Sequence, residues 1–345
     1  MKFFDTHCDT VKKVMDHSLD FQTGEGKGHV SLPGMLTANS CAQVFACFVL
    51  SERYPGKERE TAEGMIRTIG EMAARSEGKM EVVRTASDLC AACEGGPIAA
   101  LIGLEGADPL EGDAEALHHF YRLGVRNLIP AWQDNPFSGT AFGENTPLTA
   151  EGRKLIELAE ELEVMVDVSH LSDTAFDDVC EITKRPFIAS HSNSRALCPS
   201  LRNLTDGMIR ALADRGGVMG INLYSGFLDP EFAREESAYR RVQSEANDTP
   251  GVREKIFKGK IASLPRPSID WVTRHVLHAI DIGGEDCVGL GGDLDGISSM
   301  PVGIEGIQDY PEIAQLLLRA GLKEAQVGKV CYRNFKRVFC EVLPP

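Results

Sequence analysis

Five short, mostly apolar runs in this chain of 345 residues each end at an acidic residue or a histidine. The residues that end them are His7, Glu105, His170, His191 and Asp293. Apolar runs of this kind are typical of parallel strands, which are buried on both faces. In a closed α/β barrel the carboxyl ends of all strands meet at one mouth, where barrel enzymes carry their catalytic groups. The pattern therefore predicts a barrel with a cluster of metal-binding or acid–base side chains at its mouth.

Strand-like and helix-like segments alternate along most of the chain. Short apolar stretches predict strands near 3–7, 43–50, 98–105, 126–132, 164–170, 186–191, 217–224 and 287–293. Apolar residues at three- and four-residue spacing predict helices near 57–77, 113–123, 149–163, 172–183, 205–215 and 267–282. About eight strand–helix units favour a (β/α)8 TIM-type barrel, with an open doubly wound sheet as the alternative.

Four segments add to this repeat. Residues 78–96 predict an inserted strand and helix, and residues 310–320 and 323–342 predict two C-terminal helices. Residues 225–266 form a long charged insertion after the seventh strand. A segment of that length is typical of a lid, a binding segment or an oligomer contact, and a solvated helical excursion is an equal alternative. We expect one domain over residues 1–345.

The charge of the chain limits its partners and its location. Asp and Glu outnumber Lys and Arg by 51 to 36, which gives a net charge of −15. Nucleic acids and anionic membranes bind basic surfaces, so neither is an expected partner. No stretch approaches the roughly 20 apolar residues of a membrane span, and the first residues lack the apolar core of a signal peptide. We therefore expect a cytoplasmic protein without a membrane anchor.

The ten cysteines do not resemble a disulfide scaffold, and several lie inside apolar runs, as Cys47 does. Cys90 and Cys93 form a single C-x-x-C pair in a segment with helical periodicity. A second pair at zinc-ribbon spacing is missing from the sequence, so packing within a helix is favoured over a redox or zinc role.

The first candidate ligands are His7, Asp9 and Glu105. His7 and Asp9 are two positions apart, so on an extended strand end both side chains point to the same side and reach one cation. Glu105 ends an apolar run, and a buried carboxylate is costly unless it is paired or metal-bound. Its two oxygens can bridge two cations, and a salt bridge to Arg126 is the alternative.

His170 and His191 end neighbouring predicted strands, and a neutral imidazole is a good zinc ligand. Taken alone, each is more often a hydrogen-bonded core histidine. Together with the other strand-terminal residues they predict two cations: one is held by His7 and Asp9, one by His170 and His191, and Glu105 lies between them.

Asp293 lies in the segment Gly289-Leu290-Gly291-Gly292-Asp293-Leu294-Asp295-Gly296. The glycines permit a tight turn and close backbone approach. Their spacing does not match a dinucleotide-binding loop, and the later ligands of a calcium loop are missing from the sequence. An aspartate beside two zinc ions can accept a proton from a bridging water and pass it to a leaving amine.

These motifs resemble the membrane (renal) dipeptidase family of binuclear zinc peptidases, within the amidohydrolase superfamily. The resemblance covers nearly the whole chain. The residues that carry it are Asp5-Thr6-His7-Cys8-Asp9, Ile102-Gly103-Leu104-Glu105-Gly106, Gly124-Val125-Arg126, Asp167-Val168-Ser169-His170, Ser190-His191-Ser192, Arg202-Asn203 and 291–296. It implies a (β/α)8 barrel that hydrolyses free dipeptides with two zinc ions. Since the secretion signal and lipid anchor of the mammalian members are missing from this sequence, the resemblance fits a soluble microbial enzyme.

The resemblance also implies a role for each site residue. The first zinc ion would be held by His7, Asp9 and Glu105. The second zinc ion would be held by Glu105, His170 and His191. Asp293 would be the catalytic acid/base, and Arg202 would bind the substrate carboxylate. A hydroxide that bridges the two ions would attack the peptide carbonyl. Trp132 stands where mammalian members carry a substrate-contacting histidine, and Asn135 follows shortly after.

The resemblance leaves several alternatives open. The C-terminal residue of the dipeptide can be an L- or a D-residue, and the same ligands accept other divalent ions. Another amidohydrolase-type hydrolase, such as an N-acyl amino acid deacylase or a lactonase, is the first rival. Arg202 favours a substrate with a free carboxylate. A catalytically silent metal-binding barrel is the second rival, and a homodimer is implied by the family alone.

Overall fold

A computed structural model of the chain describes residues 1–244, 259–261 and 263–345. Its parallel sheet consists of β1 (Phe3–Cys8), β2 (Ser40–Phe48), β3 (Met80–Val82), β4 (Ile98–Glu105), β5 (Val125–Ile129), β6 (Met165–Val166), β7 (Ile188–Ala189), β8 (Val218–Ile221) and β9 (Val288–Leu290). Each of the eight strands predicted for the barrel is present, although β6 and β7 are short.

Eight of these strands form a closed barrel. Backbone hydrogen bonds connect them in the order β6-β5-β4-β2-β1-β9-β8-β7. The two ends of this path meet, because the N–H of Val168 donates to the carbonyl of Ile188 at 2.8 Å, beside a parallel bridge between Asp167 and Ile188. The predicted (β/α)8 barrel is therefore confirmed, and the open doubly wound sheet is excluded.

Helices follow the strands and cover the barrel. They are α1 (Thr10–Met15), α2 (Leu32–Ala38), α3 (Glu58–Ala74), α4 (Ala86–Cys93), α5 (Leu117–Leu123), α6 (Ala150–Glu161), α7 (Asp173–Ile182), α8 (Asp206–Asp214), α9 (Ser225–Leu228), α10 (Pro230–Ser244), α11 (Asp270–Gly283), α12 (Tyr310–Arg319), α13 (Glu324–Gly328) and α14 (Asn334–Val342). The sequence analysis predicted all of them except α1, α2, α9 and α10. A π-helical turn at Lys329–Arg333 separates α13 from α14, which the sequence presented as one helix.

Hydroxyl side chains begin several of these helices. The Oγ of Ser172 accepts a hydrogen bond from the N–H of Ala175 at the start of α7, and the Oγ1 of Thr205 accepts one from Met208 at the start of α8. Such caps satisfy N–H groups that have no partner within the helix. The predicted start at Thr205 is confirmed.

The inserted strand β3 lies outside the barrel. It pairs with the beginning of β4, where Met80 faces Ile98 and Val82 faces Ala100. The pairing of β4 with β5 begins only at Ile102, so β3 occupies the part of that edge which β5 leaves open. The strand and helix predicted at 78–96 are thus present as β3 and α4.

The charged insertion at 225–266 is partly described. Its first part forms α9 and α10, and residues 245–258 and 262 lie outside the described residues. Phe232 packs with Ile261 and Leu264 in a small buried cluster, so the segment covers apolar surface of its own.

Helix α14 closes the N-terminal end of the barrel. Phe335 and Phe339 are fully buried, and their rings lie 6.0 Å and 5.4 Å from the ring of Phe4 near the start of β1. This packing fills the N-terminal end of the barrel. The mouth of the barrel is therefore the opposite end, where the strands have their carboxyl ends. Within the described ranges, no helix has both the length and the hydrophobicity to cross a membrane.

Candidate metal centre

The residues that end β1 and β4 meet in the barrel mouth. Nε2 of His7 lies 3.1 Å from Oε2 of Glu105 and 3.7 Å from Oδ2 of Asp9. His7 and Glu105 are 1% and 4% exposed. The two strands both pair with β2, and this register brings side chains that are 98 positions apart into contact.

His170 and His191 follow β6 and β7 and approach Glu105 from its other side. Nε2 of His170 lies 3.0 Å from Oε1 of Glu105. Nε2 of His191 lies 2.9 Å from Nε2 of His170 and 3.8 Å from Oε1 of Glu105. The two oxygens of Glu105 therefore face two different groups of donors.

These donor atoms fit a pair of divalent cations. His7, Asp9 and Glu105 bring ligand atoms within 4.8 Å of one another, and so do Glu105, His170 and His191. Two donors that share a tetrahedral zinc ion at its usual bond lengths lie about 3.4 Å apart. The separations given above lie on both sides of that value, so the side chains need little adjustment to bind.

The charges of the cluster also suit cations. Burial alone would lower the pKa of His7, but the carboxylates of Glu105 and Asp9 raise it to about 10. Burial and the charge of Arg202 lower the pKa of His170 to about 4, and burial likewise lowers the pKa of His191. Negative charge is therefore in excess around His7, whereas the other two imidazoles are neutral, which is the form that binds metal ions.

A second carboxylate, Asp5, holds β1, β2 and β9 together behind the cluster. Its Oδ2 accepts hydrogen bonds from the hydroxyl of Tyr310 and, at 2.7 Å, from the N–H of Gly292. Its Oδ1 accepts from the amide of Gln43 at 2.7 Å and from the N–H of His7 at 3.0 Å. Burial raises the pKa of Asp5 and these bonds oppose that effect. The sequence analysis gave Asp5 no role.

Asp167 supports the two strands that carry the other histidines. Its Oδ1 accepts hydrogen bonds from the N–H groups of Ser169 and Ser190, each at 3.0 Å, and its Oδ2 accepts from Asn127 at 3.2 Å. Oγ of Ser190 lies 2.7 Å from Nδ1 of His191. A ring that binds a cation through Nε2 carries its proton on Nδ1, so this hydroxyl is placed to accept it.

Asp293 joins the cluster from the end of β9, and ligand atoms of Asp293, His7 and His191 lie within 4.8 Å of one another. Its N–H donates to the carbonyl of His7 at 3.1 Å, and its Oδ2 accepts from Nδ2 of Asn222 at 2.9 Å. Removal of its carboxylate from water raises the pKa of Asp293 to about 6. The sequence analysis missed Asn222, although it follows the apolar run 218–221 and so carried the same signal.

The backbone bends sharply where the site residues leave their strands. A Cβ at Gly291 would overlap the carbonyl oxygen of Ser190, so the close approach expected from the glycine-rich segment is confirmed. His170, Asp293 and Asp295 adopt the left-handed conformation, with φ of 72°, 57° and 71°. These turns direct the side chains of His170 and Asp293 into the mouth.

Arg202 reaches the cluster from the segment after β7. Its Nη1 donates to Oγ of Ser192 at 2.6 Å, and its Nε lies 3.2 Å from Nδ1 of His170. Nη2 is buried and has no hydrogen-bond partner in the described part of the chain. Burial lowers the pKa of Arg202 to about 10, so the group is still charged at neutral pH. A buried cation thus keeps a donor available for an anionic ligand.

Trp132 and Asn135 lie on the loop after β5. The ring centroid of Trp132 is 6.0 Å from that of His170, and its side chain is 39% exposed at the rim. Nδ2 of Asn135 donates to the carbonyl of Pro130 at 3.0 Å, and its Oδ1 accepts from the N–H of Phe137 at 2.9 Å. Trp132 therefore borders the cluster, whereas the amide of Asn135 is engaged by its own loop and by Asp108, to which Nδ2 donates at 3.3 Å.

Two structural alternatives for the acidic residues are excluded. The guanidinium of Arg126 donates to backbone carbonyl oxygens at 2.7–3.0 Å, and the neighbours of Glu105 are histidines. Asp295 pairs with Nζ of Lys13 at 2.8 Å and accepts from the hydroxyl of Thr10 at 2.6 Å. Asp295 thus fixes the start of the first loop and does not resemble a calcium ligand.

Two solved structures that share this fold are metallopeptidases. The crystal structure of dipeptidase AC, a metallopeptidase of family M19, superposes with a TM-score of 0.86 at 27% identity and covers 100% of this chain and 99% of that chain. A metallopeptidase from Rhodobacter sphaeroides, liganded with a phosphinate mimic of the dipeptide L-Ala-D-Ala, has a TM-score of 0.84 at 25% identity and covers 99% of both chains. The fold and the site define this protein as a metal-dependent peptidase.

The family model of the membrane dipeptidases, peptidase family M19, matches residues 1–343. A protein in the pqqA 5′ region of Klebsiella pneumoniae is 30% identical over 296 residues, which are 84% of this chain and 98% of that relative. The chain belongs to the membrane dipeptidase family, and it is a metallo-dipeptidase that hydrolyses peptide bonds.

The bond from Tyr310 to Asp5 gives a test of the support behind the cluster. Tyr310→Phe removes a buried donor from a carboxylate, so we expect the free energy of unfolding in urea to fall by about 1–3 kcal/mol. The matched control is Tyr332→Phe, because Tyr332 is half-buried and its hydroxyl accepts an exposed hydrogen bond from Nε of Arg333 at 3.1 Å. It should cost less than about 0.5 kcal/mol. Equal losses in the two variants would contradict the role given to Asp5.

Proposed function

We propose that this dipeptidase works with two zinc ions, one held by His7, Asp9 and Glu105 and the other by Glu105, His170 and His191. The observation that carries the proposal is the position of Glu105, whose two oxygens lie 3.1 Å and 3.0 Å from Nε2 of His7 and of His170. When bound, such a pair of ions supplies Lewis acidity and a water that is ionised near neutral pH. Imidazole and carboxylate donors at these separations favour zinc.

Asp293 is the acid and base of the proposed reaction. Its carboxylate is half-buried beside the ligands, and Asn222 orients it through the 2.9 Å bond to Oδ2. A group with a pKa near the working pH can both accept and return a proton. Asp293 takes a proton from the attacking water and donates it to the amine that leaves. Asn222 acts as a positioning residue for this carboxylate.

Arg202 binds the C-terminal carboxylate of the dipeptide. A planar guanidinium that is charged and desolvated forms strong bonds to a carboxylate, and its buried Nη2 has no partner in the described residues. Trp132 contributes a wall of the substrate site, and its ring N–H can donate to the substrate. Asn135 holds the loop that carries Trp132 in place.

The proposed substrates are free dipeptides whose C-terminal residue has either configuration. The Rhodobacter sphaeroides relative is liganded with a mimic of L-Ala-D-Ala, which supports a D-residue at that position. An N-acyl amino acid would also present a carboxylate to Arg202, so a deacylase is the alternative. The dipeptide mimic on the Rhodobacter sphaeroides relative supports the dipeptide, which differs from an N-acyl amino acid by its free ammonium group.

Hydrolysis of three small compounds tests this assignment. We expect the zinc-loaded protein to cleave L-Ala-L-Ala and L-Ala-D-Ala, and to leave N-acetyl-D-Ala intact because it has no ammonium group. A chelated sample should be inactive and should recover when zinc is added back. Cleavage of the acetylated compound alone would make the protein a deacylase. Two bound zinc ions with no cleavage of any compound would refute dipeptide hydrolysis for this site.

Replacement of Asp293 separates proton transfer from metal binding. Asp293→Asn keeps the size of the side chain but removes the base, so we expect kcat to fall by about 10²- to 10⁴-fold. Its metal content, measured by elemental analysis, should equal that of the wild type. His170→Ala is the contrasting variant and should lose bound metal together with activity. Near-normal turnover by Asp293→Asn would remove the residue from this role.

Arg202 is tested with a substrate that lacks the carboxylate. Arg202→Met should raise KM for L-Ala-L-Ala by about 10- to 100-fold, since a charge-assisted bond is lost. The amide L-Ala-L-Ala-NH2 should be a poor substrate for the wild type and no worse for the variant, because the two changes remove the same interaction. If Arg202→Met hydrolysed the amide more slowly than the wild type does, Arg202 would have a role other than binding the substrate carboxylate. Metal content measured in parallel would show whether that role is to support His170.

A further inference from the structure

Two cysteine sulfurs are in contact at the N-terminal end of the barrel, opposite the mouth that holds the candidate metal ligands. Sγ of Cys90 in α4 lies 2.8 Å from Sγ of Cys340 in α14, although the two residues are 250 positions apart. The sulfurs of a disulfide are about 2.05 Å apart, so bond formation requires them to approach by less than about 1 Å.

Other contacts hold the two helices in this arrangement. Nζ of Lys336 in α14 lies 3.0 Å from Oε1 of Glu94, the residue that follows α4. At the other end of α4, the N–H of Ala86 donates to the carbonyl of Pro344 at 2.7 Å. The two thiols therefore face each other across an interface that is fixed at both ends.

We propose that Cys90 and Cys340 are a modification site that forms a reversible disulfide when a peroxide oxidises the protein. One sulfur attacks a peroxide oxygen, the O–O bond breaks, and a sulfenic acid and water result. The second sulfur then displaces that oxygen as water, and the S–S bond forms. Two thiols and one peroxide thus give one disulfide and two waters, and the two electrons lost by sulfur are gained by the peroxide. A thiol reductant reverses the change.

The order of attack follows from the surroundings of the pair. Burial and the contact with Cys90 raise the pKa of Cys340 to about 12, so Cys340 keeps its proton at neutral pH. Since the thiolate is the nucleophile in this chemistry, Cys340 is the sulfur that resolves the intermediate.

Exposure distinguishes this pair from the other cysteines. Cys90 and Cys340 are both half-buried, so a small oxidant can reach them. Sγ of Cys93 also lies 3.4 Å from Sγ of Cys41, but both of these residues are buried. Cys180 is half-buried as well, and across the described ranges its sulfur contacts no second cysteine.

The disulfide would act on the stability of the fold. It would join α4 to the helix that fills the N-terminal end of the barrel, and it would close a loop of about 250 residues. A cross-link over a long loop restricts the unfolded chain, which stabilises the folded state. We expect the oxidised protein to melt about 5 °C higher than the reduced protein.

The experiment uses the full chain treated with hydrogen peroxide at a slight molar excess. We expect a non-reducing peptide map to contain one linked pair of peptides, joining Cys90 to Cys340, and dithiothreitol to remove it together with the rise in Tm. A link between Cys41 and Cys93, a link between two chains, or no link at all would each overturn the proposal.

Variants show which cysteine is responsible for the rise in Tm. Cys340→Ser should abolish both the linked peptide and the rise in Tm, whereas Cys180→Ser, the control with a half-buried thiol, should retain both. A rise in Tm that persists in Cys340→Ser would show that another oxidation stabilises the protein. If Cys340→Ser does not fold, the peptide map of the wild type still decides between the outcomes.

Discussion

Removing a carboxylate from water costs several kcal/mol unless hydrogen bonds or cations replace the lost hydration. This barrel gathers Asp5, Asp9, Glu105 and Asp293 near its mouth, and the two that are fully buried, Asp5 and Glu105, meet the cost differently. Asp5 accepts four hydrogen bonds and becomes part of the scaffold. Glu105 faces imidazoles on both sides, and their nitrogens can share metal ions with it. The division between scaffold and metal site therefore follows from which partners surround each acid.

Barrel closure makes these partnerships possible. Asp5 and the N–H of Gly292 are 287 positions apart, and they meet because β1 and β9 are adjacent in the barrel. Asp167 links β6 to β7 in the same way, at the point where the barrel closes. The bonds that hold the strands together thus also fix the backbones of His7 and His191. The geometry of the site and the closure of the fold depend on the same hydrogen bonds.

The sequence predicted the barrel and the cluster because both depend on a local signal. Strand ends are visible as apolar runs followed by a polar residue, and His7, Glu105 and Asp293 all follow this rule. Asn222 follows it too, but amides are common after strands and its role depends on the nearby Asp293. The partnership of Asp5 with Tyr310 joins residues 305 positions apart, and only the three-dimensional fold reveals it. The helices α1 and α2 were missed because six or seven residues are too few to show a helical period.

The left-handed backbone conformation of His170 limits how the thermal stability of this enzyme can be increased. That conformation costs a non-glycine residue roughly 1–2 kcal/mol, and His170 adopts it with φ of 72°. Glycine would relieve the strain but would delete the imidazole. A search for thermostable variants by random mutagenesis should therefore recover substitutions at this position that gain stability and lose the enzyme. Selection for heat resistance must be coupled to selection for turnover.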